Sequence, residues 1–80
     1  MQSDEIRSIL EASLESCEVQ AQVDGSHVSI LVISPAFEGL NSVKKQQLVY
    51  GVLADHIADG SIHAVNMKTY TPGEWQQLNS

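Results

Sequence analysis

The hydrophobic repeat of this chain switches from helical to alternating within its first third, and an Asp24-Gly25-Ser26 turn interrupts the alternating part. A segment with one period does not settle into the other structure, so this switch fixes the order of the first elements. Ile6, Ile9, Leu10 and Leu14 fall within an arc of about 140° at 100° per residue, with Arg7, Glu11 and Glu15 outside it. Ser3 is a suitable N-cap, and Asp4 and Glu5 suit the positive end of the helix dipole. These signals predict a one-sided helix over roughly residues 4–15. Val19, Ala21 and Val23 then alternate with Glu18, Gln20 and Gln22, the pattern of a half-exposed strand. Asp-Gly supplies the positive φ angles of a tight hairpin turn. The returning strand, Val28 to Ile33, is apolar on both faces apart from Ser29, which places it at the centre of a sheet or under a cover.

Ser34-Pro35 ends that strand, and Phe37, the single phenylalanine, is expected to pack back onto the core. Residues 38–42 form a loop. From Val43 to Ala58 the pattern is helical, but the apolar residues fall into two sets. Val43, Tyr50, Ala54 and Ile57 share one face; Leu48, Val49 and Val52 do not. Two short helices with a bend near Gly51 would bury both sets. Gly60 suits a helix stop. Ile62 to Thr69 reads as a third strand, with Val65 and Met67 on one side and Ala64 and Asn66 on the other. Thr71-Pro72-Gly73-Glu74 has the form of a capping box with proline at the first helical position, opening a short helix that carries Trp75. The expected order is α-β-β-α-α-β-α, an α/β (α+β) fold over residues 1–80.

A helical crossover between the second and third strands suits a parallel connection. The N-terminal ends of those strands then lie together, about 4.8 Å apart. His27 opens one and His63 the other, so two histidines distant in sequence approach one small volume.

Size and charge limit what such a pair can do. A chain of 80 residues buries only about 60–65% of its unfolded surface and has no room to enclose a large substrate. The net charge is −6, all of it in residues 1–40, where Arg7 is the only base; residues 41–80 are neutral. Tight binding to nucleic acid or to an anionic membrane needs a basic face. The longest purely apolar run, Ile30 to Ile33, falls far short of the ~20 residues that span a bilayer, and the acidic N-terminus does not read as a signal peptide. The single cysteine, Cys17, excludes an internal disulfide, a CxxC redox motif and a zinc ribbon, and a reducing cytoplasm is the expected compartment. No glycine-rich phosphate loop and no nucleophile beside a base is present, so an enzyme is not expected.

The stretch Ile62-His63-Ala64-Val65 followed by Thr69-Tyr70-Thr71-Pro72-Gly73-Glu74-Trp75 resembles the BolA/IbaG-like family. Gly25-Ser26-His27, Phe37-Glu38-Gly39 and Val43-Lys44-Lys45-Gln46-Gln47 leading to Val49-Tyr50 agree with it. Lys44 to Gln47 is closer to the IbaG branch than to founding BolA proteins, which tend to carry an Arg-His-Arg stretch there. The resemblance implies a three-stranded mixed sheet similar to a class II KH domain. It also implies a cytoplasmic adaptor linked to iron–sulfur homeostasis and stress response, partnered by a monothiol glutaredoxin of the Cys-Gly-Phe-Ser type. In such a heterodimer a 2Fe-2S cluster is shared. The glutaredoxin cysteine and glutathione hold one side, and His63 with His27 match the positions that hold the other. Imidazoles replace two thiolates on one iron in Rieske centres, so the ligation is chemically sound. Two histidines are too few for tight binding alone, so the isolated protein is expected to be metal-free.

On residues alone, a lone histidine is a weak metal signal, and His63 also reads as a strand-start residue satisfied by backbone. His56 lies away from Val43 and Ile57 and is assigned no role. Cys17 reads as a small buried hydrophobe, and Tyr70 and Trp75 as packing anchors. Lys44 and Lys45 are the only clustered bases and carry the alternative reading, a KH-like nucleic-acid regulator with weak DNA binding. Gly39-Leu40-Asn41-Ser42 lacks the second glycine of a GxxG clamp, which counts against it. A weak homodimer is compatible with this reading.

Overall fold

The computed structural model describes residues 2–14 and 16–79. Along the chain it has α1 (Ser3–Ser13), β1 (Glu18–Asp24), β2 (His27–Ile33), a 3-10 turn (Pro35–Phe37), α2 (Ser42–Ala58), β3 (Ala64–Tyr70) and α3 (Pro72–Leu78). The strands form one sheet in the order β1-β2-β3. β1 and β2 are antiparallel, with Asp24 opposite His27 across a turn in which Gly25 has φ 62°. β2 and β3 are parallel, with His27 opposite Ala64 and Ile33 opposite Tyr70. The hairpin and the parallel crossover are therefore as the periodicity predicts.

The pleat divides the sheet into two unlike faces. Val19, Val28, Ile30 and Val32 point into a core closed by Ile6 and Leu10 of α1, Val49 and Leu53 of α2, and Phe37, which is fully buried. On the other face Gln20, Gln22, Ser29, Asn66 and Lys68 are exposed. The second apolar side of β2 is accounted for twice over. The strand is central, and at its C-terminal end Ile33 is buried beside Pro72 and Trp75 of α3. Tyr70 and Trp75 stack at a tilt, with ring centroids 5.6 Å apart, as packing anchors.

Three details differ from the sequence reading. The N-cap of α1 is Gln2, whose backbone N–H donates to the Glu5 carboxylate at 3.4 Å, rather than Ser3. The expected C-terminal residue of that helix, Glu15, lies outside the described residues. More informative is α2, one uninterrupted helix of 17 residues rather than two with a bend at Gly51. A bend at Gly51 would bury both apolar sets. Only one set is buried: Val49 and Leu53 face the core, with Leu48 and Val52 half-buried beside them, while Val43, Tyr50 and Ile57 remain exposed. A glycine in a helix interior weakens it by roughly 0.5–1 kcal/mol but does not by itself break it. Third, β3 begins at Ala64, so Ile62 and His63 precede the ladder, and Ile62 plugs the core from that position.

Candidate functional site

At the N-terminal ends of β2 and β3 the backbone is closed tightly. Ser26 C=O accepts from His63 N–H at 2.9 Å and from Ala64 N–H at 3.4 Å. This bifurcated bond ties the hairpin turn to the start of β3 and brings His27 and His63 onto adjoining strand starts. Both histidines are exposed, and among the described residues neither imidazole makes a hydrogen bond or ion pair. His27 follows the pleat to the open face with Ser29 and borders a shallow depression with Gln22 and Asp24. His63 stands just before β3, and its Nε2 lies 3.7 Å from where a methyl on Gly60 would stand. The topology thus brings the two backbones together and leaves both side chains exposed at one end of the sheet.

Gly60 has φ 84°, and its N–H donates to Ile57 C=O, closing α2 as expected. Ile62 N–H then donates to His56 C=O. The sequence from Gly60 to His63 is therefore a short, bonded return that aims His63 past the end of α2.

No group of three or more His, Cys, Asp or Glu side chains that could hold a metal occurs among the described residues. Cys17 is remote from the histidines in sequence and packing. Its thiol donates to Leu10 C=O at 3.5 Å, and burial, then the Glu11 carboxylate, push its pKa up, which keeps it a thiol. A donor set of two exposed imidazoles fits one part of a metal centre whose remaining ligands come from elsewhere.

The basic pair is not a pair. Lys44 is exposed, but Lys45 is only 7% exposed and its Nζ donates to Glu74 at 2.7 Å. Periodicity missed this because Lys45 lies on the Val49–Leu53 face, where an apolar residue was expected. The signal was present: the Glu74 that completes the Thr71 cap supplies the counter-charge. Glu74 accepts from Thr71 N–H at 2.9 Å, and Thr71 Oγ1 accepts from Glu74 N–H at 3.1 Å. The hydrogen bond from Lys45, then that from Thr71, hold the Glu74 carboxyl below its ordinary 4.5.

A mixed three-stranded sheet with α1 and α2 packed on one face, α3 beside the C-terminal end of β2, and exposed histidines at two strand starts defines a small α+β domain. The chain belongs to the BolA-like family, whose sequence model, described as BolA-like protein, matches residues 5–74. It is 48% identical over 75 residues to the acid stress protein IbaG of Escherichia coli, covering 94% of this chain and 89% of that one. It is 46% identical over 54 residues to the DNA-binding transcriptional regulator BolA of Vibrio cholerae, covering 68% of this chain and 50% of that one. The structure of a BolA homologue from Coxiella burnetii superposes with a TM-score of 0.83 at 35% identity, covering 95% of this chain and 97% of that one. Among the described residues no helix is long and apolar enough to cross a membrane.

Proposed function

We propose that this protein is a cytoplasmic adaptor that docks on a monothiol glutaredoxin of the Cys-Gly-Phe-Ser type and supplies histidine ligands to a shared 2Fe-2S cluster. The observation that carries the reading is the pair of unengaged, exposed imidazoles of His27 and His63 on strand starts joined through Ser26 C=O. His63, which matches the family's histidine, is the principal ligand; His27, the first residue of β2 after the hairpin turn, is the second. His63 and His27 would hold the cluster when it is bound, and their neutral nitrogen donors would raise its potential relative to thiolate ligation alone. The protein's own part is to hold two exposed donors at the rim of the sheet, where a partner can reach them. The adaptor acts in iron–sulfur homeostasis and stress response and has no catalytic chemistry of its own.

The test mixes the protein with cluster-loaded glutaredoxin and glutathione and records visible circular dichroism. The wild type is expected to give a heterodimer spectrum distinct from that of the glutaredoxin homodimer. His63→Ala should abolish it and His27→Ala should weaken it. An unchanged spectrum for His63→Ala would refute the ligand assignment.

The nucleic-acid reading loses its basic pair, because Lys45 is committed to Glu74. If DNA were nevertheless bound at about 50 mM salt, Lys44→Ala should weaken it.

A further inference from the structure

The exposed face of α2 is the largest feature that the cluster reading leaves unused. Val43, Tyr50 and Ile57 are 62%, 41% and 38% exposed and lie along one line of the helix, with Gln47 and Ala54 between them and Gly51 and Ala58 beside them. At 100° per residue this face carries no charge along its centre. Its charges sit on a single flank: Lys44 near one end and Asp55 about three turns, roughly 16 Å, further on. Both are exposed, and neither is in an ion pair among the described residues.

This arrangement is self-complementary. When two helices pack antiparallel about a twofold axis, the same flank of each meets the other. With the axis near Tyr50, Val43 of one copy faces Ile57 of the second, and Lys44 faces Asp55 at both ends. Gly51 supplies an independent observation. It sits mid-helix beside the axis at a cost in helix propensity, yet nothing lies within 4 Å of where its side chain would be. The monomer gives no reason for a glycine there; close approach of a second helix does.

We infer that α2 is a homodimer surface, its occupant a second copy of this chain packed antiparallel across Tyr50 and Gly51. The inference stands apart from the cluster reading. A crossing of two helices about 25 Å long buries less than a standard interface, so the dimer is weak, with a Kd on the order of 0.1–1 mM.

Sedimentation equilibrium on the full chain, from about 0.05 to 1 mM, tests it, with a concentration series of amide NMR shifts to locate the contact. Lys44→Glu and Asp55→Lys should each raise Kd about tenfold, because each places like charges together at both ends. An equimolar mixture of the two variants should associate as the wild type does, since every contact is then between opposite charges. So should the double variant Lys44→Glu/Asp55→Lys. Gly51→Leu should block association while the monomer unfolds at the same or a higher temperature, which separates contact from folding. Asp55→Lys also lowers the net negative charge. If it associates more tightly than wild type, overall charge governs and the proposal fails. It fails equally if the wild type is monomeric at 1 mM, or if the α2 amides shift only when glutaredoxin is added, which would assign the face to a different partner.

Discussion

The two ends of the sheet carry similar polar residues and treat them in opposite ways. At the C-terminal ends of β2 and β3 the polar groups of Ser34, Thr71 and Glu74 are bonded to neighbouring elements or to their own cap. Ser34 N–H donates to Tyr70 C=O at 3.0 Å, Ser34 Oγ accepts from Ala36 N–H, and Glu74 joins the Thr71 cap to Lys45. At the N-terminal ends the backbone is just as well bonded, through Ser26 C=O, but the side chains of His27 and His63 are left without partners. A strand end built for stability consumes its polar side chains. The other end fixes the main chain and leaves the side chains available for contact from outside.

Substitutions at the closed end should therefore cost stability, and the largest cost should come from Phe37→Ala. The ring is fully buried among both helices and the sheet. Truncation should cost about 3–5 kcal/mol, a large share of the stability of a domain this size, visible as a much lower urea midpoint. A change near 1 kcal/mol would mean that the 3-10 turn is not part of the core.

Lys45→Ala should come next, since it removes a buried stem and the ion pair to Glu74; Lys45→Met should restore part of the loss by refilling the space. The pH dependence identifies the charge contribution. The folded pKa of Glu74 is lowered from 4.5, so its stabilisation is complete above that value and is lost as pH falls through the folded value. The stability difference between wild type and Glu74→Gln should be constant above about pH 5 and shrink below 4.5. A difference that stays flat down to pH 3 would show that packing, not charge, links α2 to α3. Thr71→Ala, which removes only the cap of α3, should cost about 1 kcal/mol by the same urea titration.

Nearly all of the fold was legible in the sequence because its cues are local. Alternation gave β1, Asp24-Gly25 the turn, and Thr71-Pro72-Gly73-Glu74 the last cap. The family resemblance rested on the same segments. What was not legible depended on which side of α2 meets the sheet. Apolar residues on the helix were expected to be buried, but a small domain has more apolar residues than interior, so Val43, Tyr50 and Ile57 stay outside while the stem of Lys45 goes in. Sequence gave the adjacency of His27 and His63 through the parallel crossover. It did not give the approach of the His63 ring to Gly60, because His63 lies just before the ladder, on the bonded return from that glycine.

The smallest expected effects, at the open end, test the comparison most sharply. His63→Ala and His27→Ala should each change unfolding free energy by less than about 0.5 kcal/mol, since both rings are exposed and unbonded and the backbone bond to Ser26 C=O survives the change. The bland alternative, in which His63 is a structural strand-start residue, requires a measurable loss. Gly60→Ala serves as the control for that region. It forces a side chain into φ 84° and should destabilise by about 1 kcal/mol, while its methyl stands 3.7 Å from His63 Nε2, an ordinary contact. If Gly60→Ala destabilises and His63→Ala does not, the return loop is structural and the imidazole it carries is not, and the ring is free to serve a partner. If both destabilise alike, the open end is another closed one and the contrast between the two ends of the sheet disappears.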